Sequence, residues 1–112
     1  MGKVIVYDKK KYFFSYLKKN LRDYILIRIK KNKTQLTSVK ISFVVLYDVT
    51  DFLYFFYLFQ PDFFIVVCSN DKDMLRFFED FDNVYTWEIS KMKIQLKNEL
   101  VQIMNNDEIR LL

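Results

Sequence analysis

VKISFVVLY, residues 39–47, alternates apolar and polar side chains at its start and then runs apolar without a break until Asp48 closes it. A strand with one face in water keeps alternating, whereas one covered on both faces reads as a continuous apolar run. This segment therefore predicts a central strand sandwiched between helices, and FFIVV at residues 63–67 predicts a second. Outward from that pair the chain alternates in type. KVIVY (3–7), YILIRI (24–29) and VYTWEI (84–89) are short runs rich in β-branched and aromatic residues, the composition of strands.

Between the strands the apolar period lengthens. Over residues 10–20, Phe13 and Leu17 recur at four-residue spacing and point on to Leu21, with Tyr16 beside them, which predicts an amphipathic helix. Residues 50–60 predict a helix capped by Thr50 or Asp51 and stopped before Pro61, because the residue preceding a proline avoids the helical region. Ser69-Asn70-Asp71 offers caps for a helix over 72–81 with Met74, Phe77, Phe78 and Phe81 inward. Ser90 is the expected cap of a final helix whose stripe is Met92, Leu96, Leu100 and Ile103. Residues 30–38 are polar, with Asn32, Thr34 and Ser38 as turn formers, so the helix expected there is short or missing.

Strands alternating with helices through short links favour a parallel sheet, since right-handed crossovers lay the helices over it. The expectation is a three-layer α/β/α domain over residues 1–112, with a five-stranded parallel sheet in the flavodoxin-like order 2-1-3-4-5. Composition narrows what such a domain can do. The chain of 112 residues is 52% hydrophobic and 29% charged, with one Gly, one Pro, one Cys and no His. The lone Cys68 excludes an internal disulfide, and the absence of His removes Ser-His-Asp, Cys-His and His-metal catalysis. A single Gly argues against a glycine-rich phosphate loop. The longest apolar run, Phe52 to Phe59, spans eight residues, short of the roughly 20 that cross a bilayer. No signal peptide is evident and a cytoplasmic, non-membrane protein without enzymatic turnover is expected.

Charge is unevenly placed. Residues 1–42 hold 12 Lys/Arg and 2 Asp (12 − 2 = +10), and residues 43–112 hold 6 Lys/Arg and 12 acids (6 − 12 = −6). Lysine runs are most often a solvated face, but phosphate contacts also need Lys or Arg on one face, so the Lys-rich first part makes nucleic acid or another anionic partner the alternative reading.

In an open parallel sheet, ligands sit at the carboxyl ends of the strands where their order reverses, which here means the ends of the first and third strands. Those ends carry Asp8 and Asp48, with Asp51 nearby. Two carboxylates brought together there repel unless a cation offsets them, and magnesium is the cation that such oxygen ligands suit. The plainer reading is that both acids end strands or cap helices.

VIVYDKK (4–10), FVVLYDV (43–49), FIVVCSN (64–70) and VYTWEI (84–89), in that order, resemble the receiver domain of two-component response regulators. The resemblance implies a phosphoacceptor at Asp48, a metal held by Asp8 and Asp48, and a hydroxyl residue at Cys68 or Ser69. The chain departs from that pattern in two places: Lys9 stands where a second acid is usual, and Glu88 stands where a lysine is usual. Glu88 would add negative charge beside a phosphoryl group, so phosphorylation of Asp48 is not expected and no cofactor is expected to be needed. What remains is a receiver-like signalling domain that acts through protein contacts. The all-apolar helix offers Tyr54, Phe55 and Tyr57 as an interface, and a homodimer is its simplest use.

Overall fold

The computed structural model describes residues 2–29, 41–59 and 63–105. Five strands, β1 (Gly2–Tyr7), β2 (Tyr24–Ile29), β3 (Ile41–Leu46), β4 (Phe64–Ser69) and β5 (Val84–Glu88), form one sheet in the order β2-β1-β3-β4-β5. All four pairings are parallel. The expected sheet and strand order are those found. The polar stretch at 30–38, the first two residues of the predicted third strand and the stop at Gln60 and Pro61 lie outside the described residues.

The four described α-helices are α1 (Tyr12–Asn20), α2 (Phe52–Leu58), α3 (Lys72–Arg76) and α4 (Lys93–Met104). Because side chains alternate across a strand, each continuous apolar run feeds two cores at once. Val4, Val6, Phe43, Val45, Val66 and Trp87 pack with Phe13 and Leu17 of α1 and Leu96, Leu100 and Ile103 of α4. Ile5, Tyr7, Val44, Leu46, Ile65 and Val67 pack with Phe55 and Leu58 of α2, Leu75 of α3 and Phe78. All six residues of β3 and all six of β4 are buried, which is why those two runs are apolar apart from the small buried Ser42 and Ser69.

Local chemistry moves several element ends from where periodicity places them. Before α2 the chain makes a single 3-10 turn over Val49–Asp51, and its cap is Asp48, whose side chain accepts from the Thr50 N–H while Asp51 reaches back to the Asp48 N–H. This reciprocal capping box satisfies donors that would otherwise be orphaned; Asp51 holds the N-cap position of α2, as expected, but its side chain bonds back into the box and not to α2, and Thr50 is not the cap. Asp71 does cap α3, accepting from the Asp73 N–H at 2.8 Å. That helix ends at Arg76 rather than at Phe81, because the following residues close three-residue turns, Phe78 N–H to Leu75 and Phe81 N–H to Phe78. The turns carry Phe78 inward against Phe55 and leave Phe77 55% exposed, so Phe77 does not belong to the core. α4 starts after Met92, which has no side-chain cap and is 75% exposed, so Met92 is not part of the buried stripe. Ser90 instead donates its hydroxyl to Glu88.

Candidate functional site

The switch between β1 and β3 puts the ends of two neighbouring strands side by side, and at each a tyrosine is followed by an aspartate: Tyr7-Asp8, where Tyr7 is the last residue of β1, and Tyr47-Asp48, directly after β3. The pairs are cross-linked. Tyr47 Oη donates to Asp8 Oδ1 at 2.6 Å, and Tyr7 Oη donates to Asp51 Oδ1 at 2.8 Å. Each strand end is therefore tied to a carboxylate that belongs to the other. Burial, then the hydrogen bond to the carboxylate, pushes both phenols well above their ordinary range, so they stay protonated donors.

Asp8 is fully buried and its two oxygens are spent. Oδ1 accepts from the Lys10 and Lys11 N–H groups as well as from Tyr47, and Oδ2 accepts from the Phe14 N–H at 2.8 Å. Three of its four donors are backbone groups at the start of α1, so Asp8 caps that helix from outside it. Its own carbonyl is held from the edge strand, accepting from Arg28 Nε and Nη2 at 3.0 and 2.9 Å. The turn that brings these donors together needs Lys11 at φ 71°, a conformation that costs a non-glycine residue and that the Asp8 contacts offset.

Asp51 is also fully buried, and accepts from the Tyr47 and Asp48 N–H groups at 2.7 and 3.0 Å in addition to Tyr7. Asp48 is the exposed member of the group. Lys9 Nζ lies 2.6 Å from Asp48 Oδ2 and 3.5 Å from Asp51 Oδ2. The Lys9 hydrogen bond, followed by those from Thr50, holds the Asp48 carboxyl at about 2, below the ordinary carboxylate range. The same bond raises the Lys9 ammonium. The structure thus brings Asp8, Lys9, Asp48 and Asp51 to one strand-end cluster.

Other positions singled out from the sequence fall elsewhere. Cys68 is buried, its thiol is pushed up by burial first and by Asp8 second, and it makes a long contact of 3.9 Å to the Val66 carbonyl. It is an inert core thiol. Ser69 is buried and its hydroxyl accepts from the Asp71 N–H at 3.0 Å, which turns the chain into α3. Glu88 faces Lys72 at 3.4 Å and Ser90, and Ser90 is the larger cause of its lowered pKa. Glu88 is therefore neutralised by a lysine from the preceding helix.

The expected aromatic interface is redrawn. Phe55 is fully buried among Phe78, Phe81 and Phe59 and cannot meet a partner. Tyr54 is half-buried and stacks on Tyr7 at 3.8 Å, which couples α2 to the strand-end cluster. Tyr57 is 37% exposed, and the side chains that share the outer face are Leu53 at 71% and Phe56 at 52%. Phe77 continues this surface, 6.4 Å from Phe56 between ring centroids.

Magnesium is the cation that the receiver resemblance implies, and these donors do not fit it. Asp8 accepts four hydrogen bonds, and the free side of Asp48 is bonded to an ammonium that already supplies positive charge. A divalent ion would have to displace both kinds of partner. No cluster of three or more His, Cys, Asp or Glu able to hold a metal exists among the described residues, and none of the described helices is long and apolar enough to cross a membrane.

No protein-family model matches the sequence, and no curated protein matches it. Among solved structures the fold is similar to that of a response regulator protein from Burkholderia pseudomallei, determined with a phosphorylated aspartic acid, calcium ion and citrate. The two share 16% sequence identity with a TM-score of 0.56, over 94% of this chain and 74% of that one. The fold of this chain resembles a response-regulator receiver domain.

Proposed function

We propose that this chain is a degenerate receiver-like signalling module of the cytoplasm that works through protein contacts, without phosphorylation of Asp48 and without catalytic turnover. The observation that carries the reading is the 2.6 Å ion pair between Lys9 and Asp48. In the receiver-like fold this lysine takes the position of an acid, and its ammonium supplies internally the positive charge that an acid pair would draw from a cation. Glu88, at the position where the resemblance expects a lysine, is turned to Lys72 and offers no positive charge to a phosphoryl group. The outward aromatic side of α2 with Phe77 supplies the contact surface, and a second copy of the chain is its first partner.

The test is the mass of the intact protein after incubation with a small phosphodonor and magnesium, beside Asp48→Asn treated in the same way. The expected result is no phosphoryl adduct on either protein. An adduct that forms on the natural chain and is lost in Asp48→Asn would overturn the reading. Sedimentation of the untreated protein at rising concentration checks the contact surface: self-association that Leu53→Glu weakens is expected, and a strictly monomeric natural chain would remove the second copy as partner.

A further inference from the structure

α1 and α4 cover the same face of the sheet, and between their outer sides runs a groove of about 530 Å³ lined by Tyr12, Tyr16, Lys19, Lys93, Ile94 and Lys97 together with two polar side chains of α1. The size is that of a small-molecule site. Three lysines line it, and none of them forms an ion pair among the described residues. Glu99, the sole acid within α1 or α4, is already engaged by Trp87 and Lys91. Lysines gathered in this way repel one another, so an anion entering the groove gains from all three. α4 adds to the same field, because it begins with no side-chain cap and no acid in its first turn.

The groove is not built for charge alone. Tyr12 and Ile94 also line it and, at 75% and 69% exposed, leave apolar surface open to a ligand. The Tyr16 ring, packed against the core between the two helices, forms the floor of the groove, and its hydroxyl is buried beneath the surface. A compact ligand with several negative charges at one end and a planar ring at the other matches this combination. We propose that the groove between α1 and α4 binds a nucleoside polyphosphate, with Lys19, Lys93 and Lys97 holding the phosphates and Tyr12 and Ile94 receiving the base. The pocket is distinct from the strand-end cluster, so the proposal stands independently of how Asp48 behaves.

The test is a set of titrations at low ionic strength, followed by amide chemical shifts, with ATP, GTP, inorganic tripolyphosphate, adenosine and a short single-stranded oligonucleotide. Saturable shifts confined to α1 and α4 are expected with the nucleotides, weaker ones with tripolyphosphate and none with adenosine. Replacing two exposed lysines, Lys93→Gln with Lys97→Gln, should weaken nucleotide binding about tenfold while leaving the folded spectrum intact. Tyr12→Ala should remove the advantage of nucleotide over tripolyphosphate. Absence of saturable shifts with either nucleotide would overturn the proposal, as would equal affinity for tripolyphosphate. Tighter binding of the oligonucleotide, with shifts spreading beyond the groove, would overturn it in favour of nucleic acid.

Discussion

At the switch-point end of the sheet, Asp8 and Asp51 are wholly buried and accept four and three hydrogen bonds, whereas in the groove between α1 and α4 the ammonium groups of Lys19, Lys93 and Lys97 have no ionic partner among the described residues. Both regions concentrate charge of one sign, yet the first answers it from within and the second does not. The difference teaches how to separate architecture from availability. A buried carboxylate whose oxygens are all occupied organises the backbone around it, and removing it leaves several donors unpaired. An exposed cation without a partner contributes little to folding and remains free to meet a ligand. By this measure Asp8 and Asp51 are structural, Asp48 is an exposed carboxylate paired with Lys9, and the groove keeps its three lysines without an ionic partner among the described residues.

The sharpest way to break the comparison is to delete one member from each region. Asp51→Ala strands the Tyr7 hydroxyl and the Tyr47 and Asp48 N–H groups, and should lower unfolding free energy by about 3 kcal/mol in a urea titration. Lys97→Gln, in the groove, should change it by no more than about 0.5 kcal/mol. Comparable losses from the two variants would erase the distinction.

Next in size is Tyr47→Phe, which removes one donor from the buried Asp8 while keeping the ring. A loss of about 1.5 kcal/mol is expected. A double-mutant cycle with Tyr7→Phe should show coupling, because the two phenols brace the same pair of strand ends. Strict additivity would mean that the two cross-links act separately.

The smallest effect separates Asp48 from its buried neighbours. Its folded pKa of about 2 lies below the ordinary value of 3.8, so the interactions that depress it stabilise the fold above that ordinary value and are lost as pH falls through about 2. In Lys9→Met the largest of those interactions is gone, so the Asp48 carboxyl should move up towards its ordinary value in a carbon-detected titration, and the acid-side loss of stability should become shallower across that window. An unmoved Asp48 would show that Thr50, not Lys9, holds it.

Much of the fold was legible because β3 and β4 are apolar on both faces, and only a sheet covered twice needs such runs. The placement of Asp8 and Asp48 beside each other was legible because a strand end at the order reversal is defined by element order alone. The partners of those acids were not. Tyr7 and Tyr47 read as ordinary strand residues, and their hydroxyls find carboxylates 44 and 39 residues away. The wholly apolar α2 carried no polar residue to mark its outer side, so Phe55 and Phe56 could not be told apart until one packed on Phe78 and the other met Phe77. The basic groove was hidden for a different reason. Lys93 and Lys97 belong to the acidic part of the chain, and a charge count by segment is blind to the packing of α4 beside α1.

Under the proposed function, the Lys9 ammonium takes the place of a cation beside Asp48. The most direct test is a magnesium titration followed through the amide shifts of residues 8–10 and 47–51, in the natural protein and in Lys9→Asp. No saturable change is expected in the natural chain, and a saturable change is expected at those residues in the variant, where an acid replaces the ammonium. Saturable magnesium binding at Asp8 and Asp48 with Lys9 in place would contradict it.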